Sequence, residues 1–389
     1  MSEIRVNNLS NESSTGGPTI SGITTFSGTN YFVPPVGNTA QRPDNPQKGE
    51  LRFNTDSAHL EYYKGDTIGW SEIEASSEEL GGGTGSNLGS GARGVFMGGG
   101  TYPAGLHDDI SYITISTLGN DTDFGDLTTA TTNGGGCSSR TRCIMGGGAV
   151  PTGVNTIEYV IFATTGDATN FGDLTGVKEQ TAGLSNATRG IFAGGYDYPA
   201  GKEEEIDYIT MASTGNAKDF GDLTTERWGA SAIASSTRGV IAGGKTASPS
   251  ATNVMDYITI ATTGNAADFG DLSALSGNVN GSGASNSTRG VFMGGYNGIG
   301  SPNKVNTILY LTIATTGNTN DFGDMGSACA LGQSVSSPTR AVTQLGDVAG
   351  NIVNTMEYIE IMTTGNASDF GELNTTRYSQ GGSNAHGGL

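Results

Sequence analysis

Six arginines recur at near-constant spacing, Arg93, Arg142, Arg189, Arg238, Arg289 and Arg340, in steps of 49, 47, 49, 51 and 51 residues. A guanidinium offers a planar fork of N–H donors, so converging arginines can clamp a carboxylate or a phosphoryl group. Catalysis, however, brings different groups to one point, and these are equivalent copies of one residue. Their expected role is to hydrogen-bond carbonyls or a carboxylate of the adjoining unit. The repeated Asn-x-x-Asp-Phe-Gly-Asp turn supplies acidic pairs such as Asp219 with Asp222, or Asp268 with Asp271. Oxygen donors of this kind suit Ca²⁺; the competing reading is that Asn and Asp cap the backbone of their own turn. Three histidines (His59, His107, His386) share no repeat position, and Cys137, Cys143 and Cys329 show no metal-ligand spacing. Cys137 and Cys143 flank a turn, which admits a hairpin disulfide, with buried free thiols as the alternative. No catalytic residue, metal or cofactor is assigned beyond the Ca²⁺ option, and the chain is read as a non-enzyme.

The elements that must position these groups form one repeated unit, seen clearly in TRGIFAGGYDYPAGKEEEIDYITMASTGNAKDFGDL at 188–223. The phenylalanine of its last motif recurs as Phe124, Phe171, Phe220, Phe269, Phe322 and Phe370. Arg189 to Gly195 reads as a short apolar strand ending in a glycine pair. Ile206 to Met211 reads as a second strand with large apolar groups on both alternating faces, which requires cover on both sides. Asp219 to Leu223 is a shorter third strand, and the small residues Gly229 to Ala234 suit a crowded innermost strand. Four strands in a period near 50 residues, with no helical segment, predict an all-β, six-bladed β-propeller. The terminal stretch 377–385 resembles the innermost strand of the other units and is expected to complete the blade begun at Gly94, leaving no open sheet edge. Truncation at Leu373 is then expected to unfold or aggregate the ring.

Before the repeats lie an extended Ser/Thr/Gly-rich arm (1–35), a small β module (36–75) and a Gly/Ser linker (76–91), with the propeller over 92–389. The arm cannot bury enough apolar area to fold alone. Ile20, Ile23, Phe26, Tyr31 and Phe32 are its expected anchors on a partner chain. The module should contain strands at 50–54, 59–63 and 69–74; being small, it is expected to pair with copies of itself or with another protein, Trp70 among its contact residues.

Composition narrows the class. The 64 glycines among 389 residues sit at fixed repeat positions and so mark turns. A formal net charge of −19 argues against nucleic acid and against an anionic membrane surface. No apolar run reaches spanning length and the opening residues do not read as a signal peptide, so a soluble chain without its own export address is expected.

Variation concentrates in the loops between the glycine pair and the Tyr strand, at 100–109, 148–156, 196–205, 245–253, 296–307 and 347–355. Divergence on one rim of an otherwise repeated scaffold points to recognition, with drift in unconstrained loops as the alternative. The candidate receptor-binding residues are Tyr102, His107, Tyr196, Tyr198, Tyr296 and Asn297, rings to stack on sugars and amides to bond hydroxyls.

An arginine, an apolar run, Gly-Gly, a Tyr strand and an aromatic strand, in that order, resemble the kelch repeat, with phenylalanine where kelch usually has tryptophan. The segments NYFVPPVGNTAQRP (30–43) and GELRFNTDSAHLEYYKGDTIGWSEIE (49–74), followed by TRGVFMGG, DYITIATTGNA and FGDL repeats, resemble structural proteins of tailed bacteriophages, especially those of marine cyanobacteria. That resemblance covers almost the whole chain. It implies a virion protein made in the host cytoplasm, a tail fibre or other host-contacting appendage. Its N-terminus would anchor on other virion proteins, and homotrimers are implied because fibres usually assemble so. A host surface glycan or protein would be the receptor; a passive tail or capsid decoration is the alternative. The constellations of propeller enzymes, Tyr–Cys–His for copper oxidases and an arginine triad for sialidases, are not offered by these residues.

Overall fold

A computed structural model describes residues 34–56, 59–67, 69–73, 93–101, 105–246, 251–273, 281–297, 304–378 and 381–384. The chain divides into two compact units, 1–77 and 78–389. Among the described residues the fold is all-β, its strands joined by turns and one short 3₁₀ segment, Thr39–Gln41.

In the larger unit each arginine motif becomes the second strand of an antiparallel sheet. The third sheet shows the pattern: Ala182–Ser185, Arg189–Asp197, Gly201–Thr210 and Lys218–Asp222 pair in that order. The Tyr strand carries buried side chains on both faces, Ile206 and Ile209 among them. Its Tyr208 lies between a cation and a ring: the Arg189 guanidinium sits 4.8 Å from the Tyr208 centroid, and Phe220 meets that ring edge-on at 6.0 Å. The same Arg–Tyr–Phe stack recurs in all six sheets, the first and last being Arg93–Tyr112–Phe124 and Arg340–Tyr358–Phe370. Such contacts contribute roughly 0.5–1.5 kcal/mol each.

Alternating apolar faces must be covered, and neighbouring sheets cover them. Six buried clusters each draw on two sheets consecutive around the repeat. One joins Phe171 and Leu174 of the second sheet to Phe192 and Ile209 of the third. Another joins Val335, Val342 and Phe370 of the sixth to Phe96 and Ile113 of the first. The first sheet is completed from the far end of the chain, Gly381–Asn384 pairing antiparallel with Arg93–Met97 in the register Gly381↔Met97 to Asn384↔Gly94. Residues just before the first strands of several sheets, including Asn133, Gln180, Gly229 and Leu331, line one shared cavity of about 50 Å³. These four sit at φ between 54° and 64°, a left-handed turn that glycine fills in only one of them.

The outer edges are tied as well. Gly264 of one Thr-Gly-Asn turn donates its N–H to Phe220 of the preceding sheet at 2.7 Å, and Ala266 N–H bonds Asp222 O at 2.7 Å. Asn265 Oδ1 accepts from Asp222 N–H at 3.2 Å. The conserved spacing of Phe-Gly-Asp has its reason here: a Cβ on Gly221 (φ 141°) would lie 2.5 Å from the Gly264 carbonyl carbon. The Asn side chains thus cap the preceding sheet, where self-capping of the turn was expected; the turn closes through its own backbone, as with Thr262 N–H to Thr259 O at 3.0 Å, which leaves Asn265 Oδ1 for the neighbouring strand.

The smaller unit is a four-stranded sheet in which Val36–Gly37 runs parallel to Leu51–Asn54, followed by His59–Tyr63 and Trp70–Ile73, both antiparallel. The last three match the expected strands; the short parallel one, preceded by two prolines, carries no alternation by which to see it. Here the packed face is the polar one. Glu61 is fully buried and accepts from Arg42 (Nε, 3.2 Å) and Asn54 (3.1 Å), with Arg52 at 3.5 Å. The Arg42 hydrogen bonds hold its carboxyl below the usual range against the opposing effect of burial. Val36, Leu51 and Leu60 are exposed on the opposite face, in register with Phe53.

Candidate functional site

The repeated arginines are committed to holding sheets together. Arg93 donates to Phe162 O at 2.6 Å, Arg142 to Met211 O at 2.9 Å and Arg189 to Ile260 O at 2.9 Å, each in the following sheet. Arg238 and Arg289 do the same with Ile313 O and Ile361 O, and Arg340 reaches Ile115 O of the first sheet at 3.1 Å. The expected carbonyl partners are therefore present. The stacking on tyrosine was not read from the sequence, although a tyrosine follows each of these arginines by 17 to 21 residues and precedes the repeated phenylalanine by 12 in every repeat.

Of the expected recognition residues, Tyr102 lies outside the described residues, as do Ile20, Ile23, Phe26, Tyr31 and Phe32 and the proposed linker. Tyr198 is 73% exposed. It lies at the tip of a hairpin in which Arg189–Asp197 and Gly201–Thr210 continue pairing past the glycine pair through Asp197↔Gly201, as the first repeat does through Thr101↔Gly105. Tyr196, half-buried at the base of that hairpin, meets Trp228 edge-on at 6.3 Å, and Lys245 Nζ lies 5.2 Å over the Trp228 ring. Trp228 and Lys245 join the group through folding alone: they sit in different repeat segments and pair through an isolated bridge. Tyr296 is half-buried beside Lys304, whose ammonium is 2.6 Å from Asp347, and burial with the Asp347 charge raises its phenol pKa; Asn297 follows it. His107 is held between Thr101 Oγ1 at 2.7 Å and Asp109 at 3.3 Å, engaged within its own loop. Trp70 packs at 5.5 Å from Tyr63 and under Arg42 and Arg52, so its ring serves the module's own interior; the exposed apolar residues are Val36, Leu51 and Leu60.

Metal-type donors come together differently from the expected pairs. Among the described residues, carboxylate oxygens of Asp108, Asp109 and Asp126 fall within 4.8 Å of one another, while Asp219, Asp222, Asp268 and Asp271 join no such group. Burial and then the neighbouring Asp108 charge raise the Asp126 pKa. The three cysteines are buried and form no disulfide with one another. Cys137 faces Ile144, and Cys143 faces Ser138, so the hairpin register sets the two thiols one step apart. Burial pushes Cys329 up to about 12 and Cys137 well above its usual value, which keeps both protonated and unreactive.

A second repeated position was not anticipated. In five of the six sheets the residue just before the repeated tyrosine faces the segment that leaves the preceding sheet. Where it is Asp207, Thr175 Oγ1 donates at 2.6 Å and Lys178 Nζ lies 3.1 Å away; where it is Asp256, Thr224 Oγ1 donates at 2.7 Å and Arg227 pairs with the carboxylate. Asp207, Asp256, Lys178 and Arg227 are all essentially fully buried. Burial raises the Asp207 pKa against the pull of Lys178, and burial lowers that of Arg227 against the pull of Asp256. At the corresponding positions, Arg377 bonds Ser111 Oγ, Gly326 N–H bonds Glu357 at 2.9 Å, and Thr128 bonds Glu158.

No protein-family model matches the chain, and no curated protein matches it.

Proposed function

We propose that the six sheets form a six-bladed, kelch-like β-propeller closed by the C-terminal strand, serving as a non-enzymatic virion protein of a tailed phage. The propeller reading is supported by the cyclic order of the buried clusters and by the pairing of residue 381 with residue 97. In this reading the protein is a tail fibre or host-contacting appendage. Its N-terminal part attaches to other virion proteins, and the Gly-Gly loops meet a glycan or protein on the host surface. The observation that carries the recognition role is the tip of the third hairpin, where Tyr198 is exposed two residues from Tyr196, whose ring meets Trp228 with Lys245 over it. Aromatic rings beside a cation and exposed backbone suit stacking on a sugar. The exposed apolar face at Val36, Leu51 and Leu60 supports attachment or trimer formation through the smaller unit.

Passive decoration of the particle is the second reading, favoured by the internal engagement of His107 and the half-burial of Tyr296. Adsorption of the purified chain to host cells separates the two. Tyr196→Ala, Tyr198→Ala and Tyr296→Ala combined should lower cell binding at least tenfold with folding intact; unchanged adsorption would remove the recognition role. Labelling the protein within intact particles by electron microscopy tests the virion assignment itself.

A further inference from the structure

We propose that the cavity over Glu158 is a binding site for an alkyl-guanidinium or alkyl-ammonium group, the chemistry of an arginine or lysine side chain. The argument starts from the crossing segments. Counting four residues past the leucine after Phe-Gly-Asp gives Thr131, Lys178 and Arg227. Their backbones are equivalent, since each carbonyl accepts an N–H from the second glycine of a pair: Gly99 to Thr131, Gly148 to Lys178, and Gly195 to Arg227, at 2.8, 2.8 and 2.9 Å. Lys178 and Arg227 each send a cation to the acidic residue just before the repeated tyrosine of the next sheet. At the interface between the first and second sheets the acid is retained, as Glu158, but the cation is replaced by Thr131.

What remains is a buried carboxylate with half its coordination. Glu158 is 5% exposed. Its Oε1 accepts the Thr128 hydroxyl, as Asp207 accepts Thr175 and Asp256 accepts Thr224. Among the described residues no cation reaches it. Beside it, where Lys178 or Arg227 would lie by analogy, is a cavity of about 210 Å³ lined by Thr128, Thr129, Thr131, Met145, Val150 and Val154 with Glu158. At roughly 30 Å³ per water that is space for about seven waters, ample for a short alkyl chain bearing a guanidinium. Met145, Val150 and Val154 offer apolar wall to the alkyl stem. The Glu158 carboxylate offers the counter-charge, and the threonine hydroxyls accept remaining N–H groups. Thr128 and Thr129 are exposed, so the cavity opens to solvent on their side. A buried carboxylate without a cation is costly, and an arriving cation relieves that cost. Glu357 shares the acid but is met differently: its carboxylate accepts the Gly326 N–H at 2.9 Å and lies 2.6 Å from where a Cβ on Gly326 would stand.

The site is tested on the full chain by titrating n-butylguanidinium and n-butylammonium while recording calorimetric heats. Saturable binding by at least one probe is expected. Glu158→Gln, which keeps the shape and the Thr128 bond, should weaken it about tenfold or more. Thr131→Arg should supply the missing cation internally, abolish probe binding and raise Tm. A Gly-Arg-Gly peptide gives the second arm: binding comparable to the free probe assigns the group to a partner's side chain, and loss of binding assigns it to a small free cation. Absence of saturable binding, binding undiminished in Glu158→Gln, or binding undiminished in folded Thr131→Arg would each overturn the proposal; if Thr131→Arg does not fold, Glu158→Gln decides.

Discussion

Replacing Gly221 with alanine probes how the outer edges of adjacent sheets are joined. Gly221 has φ 141° and a Cβ there would stand 2.5 Å from Gly264 C, 2.6 Å from its O and 2.8 Å from Asn265 N, all backbone that no rotamer change can clear. The sheets must then separate locally, and three hydrogen bonds are stretched: Gly264 to Phe220, Ala266 to Asp222, and Asp222 to Asn265. At about 1 kcal/mol each they amount to about 3 kcal/mol, and the left-handed backbone adds about 1–3 kcal/mol of strain. The sum of roughly 4–6 kcal/mol corresponds to a fall in Tm on the order of 10 °C for a unit of this size. Gly264→Ala supplies the control, because Gly264 has φ 152° but nothing within 4 Å of its would-be Cβ. It should show the strain alone, a drop of a few degrees. Differential scanning calorimetry of the two variants reads the difference directly. Equal shifts would refute the close approach as the reason for the Phe-Gly-Asp glycine and leave backbone conformation as its whole explanation.

Two other outcomes follow from the same geometry. A chain ending at Tyr378 lacks Gly381–Asn384 and leaves Arg93–Met97 with an unpaired edge; it should aggregate on gel filtration or melt at clearly lower temperature, and a monomeric truncation of unchanged Tm would contradict the closure. Burial raises the Glu357 pKa above its ordinary 4.5 despite the Gly326 N–H, so the folded chain holds a proton there that the unfolded chain has released. Its contribution to stability therefore falls as pH rises from about 4.5 through the higher folded value. Glu357→Gln should flatten that decline and raise Tm at neutral pH, as followed by thermal melts across the range; a steeper decline in the variant would reverse the sign.

Much of the scaffold was legible because strand and turn chemistry is local. Arg189 to Gly195, Ile206 to Met211 and Asp219 to Leu223 announce their strands by apolar runs and glycines, and the small residues before Thr237 announce the inner one. Trp70 shows the limit of local reading: its contacts with Tyr63, Arg42 and Arg52 come from other segments, while the exposed large apolar side chains of the smaller unit, among the described residues, are the modest Val36, Leu51 and Leu60. Alternation in 51–54 and 59–63 gives two faces but not which is covered, and here two arginines around Glu61 reverse the usual choice.

By itself the sequence determined that this is a repeated, all-β chain with glycines at set turns and one arginine per unit. Those properties depend on residues within a few positions of each other. Only the tertiary structure decided where each arginine goes, because its acceptor lies 69 to 75 positions later, or 225 earlier for Arg340, in a different sheet. The same holds for charge: whether Asp207 meets Lys178 and Glu158 meets only Thr128 depends on which crossing segment lies against which Tyr strand. A buried carboxylate is stabilised by whatever packs beside it in space, and spacing along the chain does not encode that neighbour.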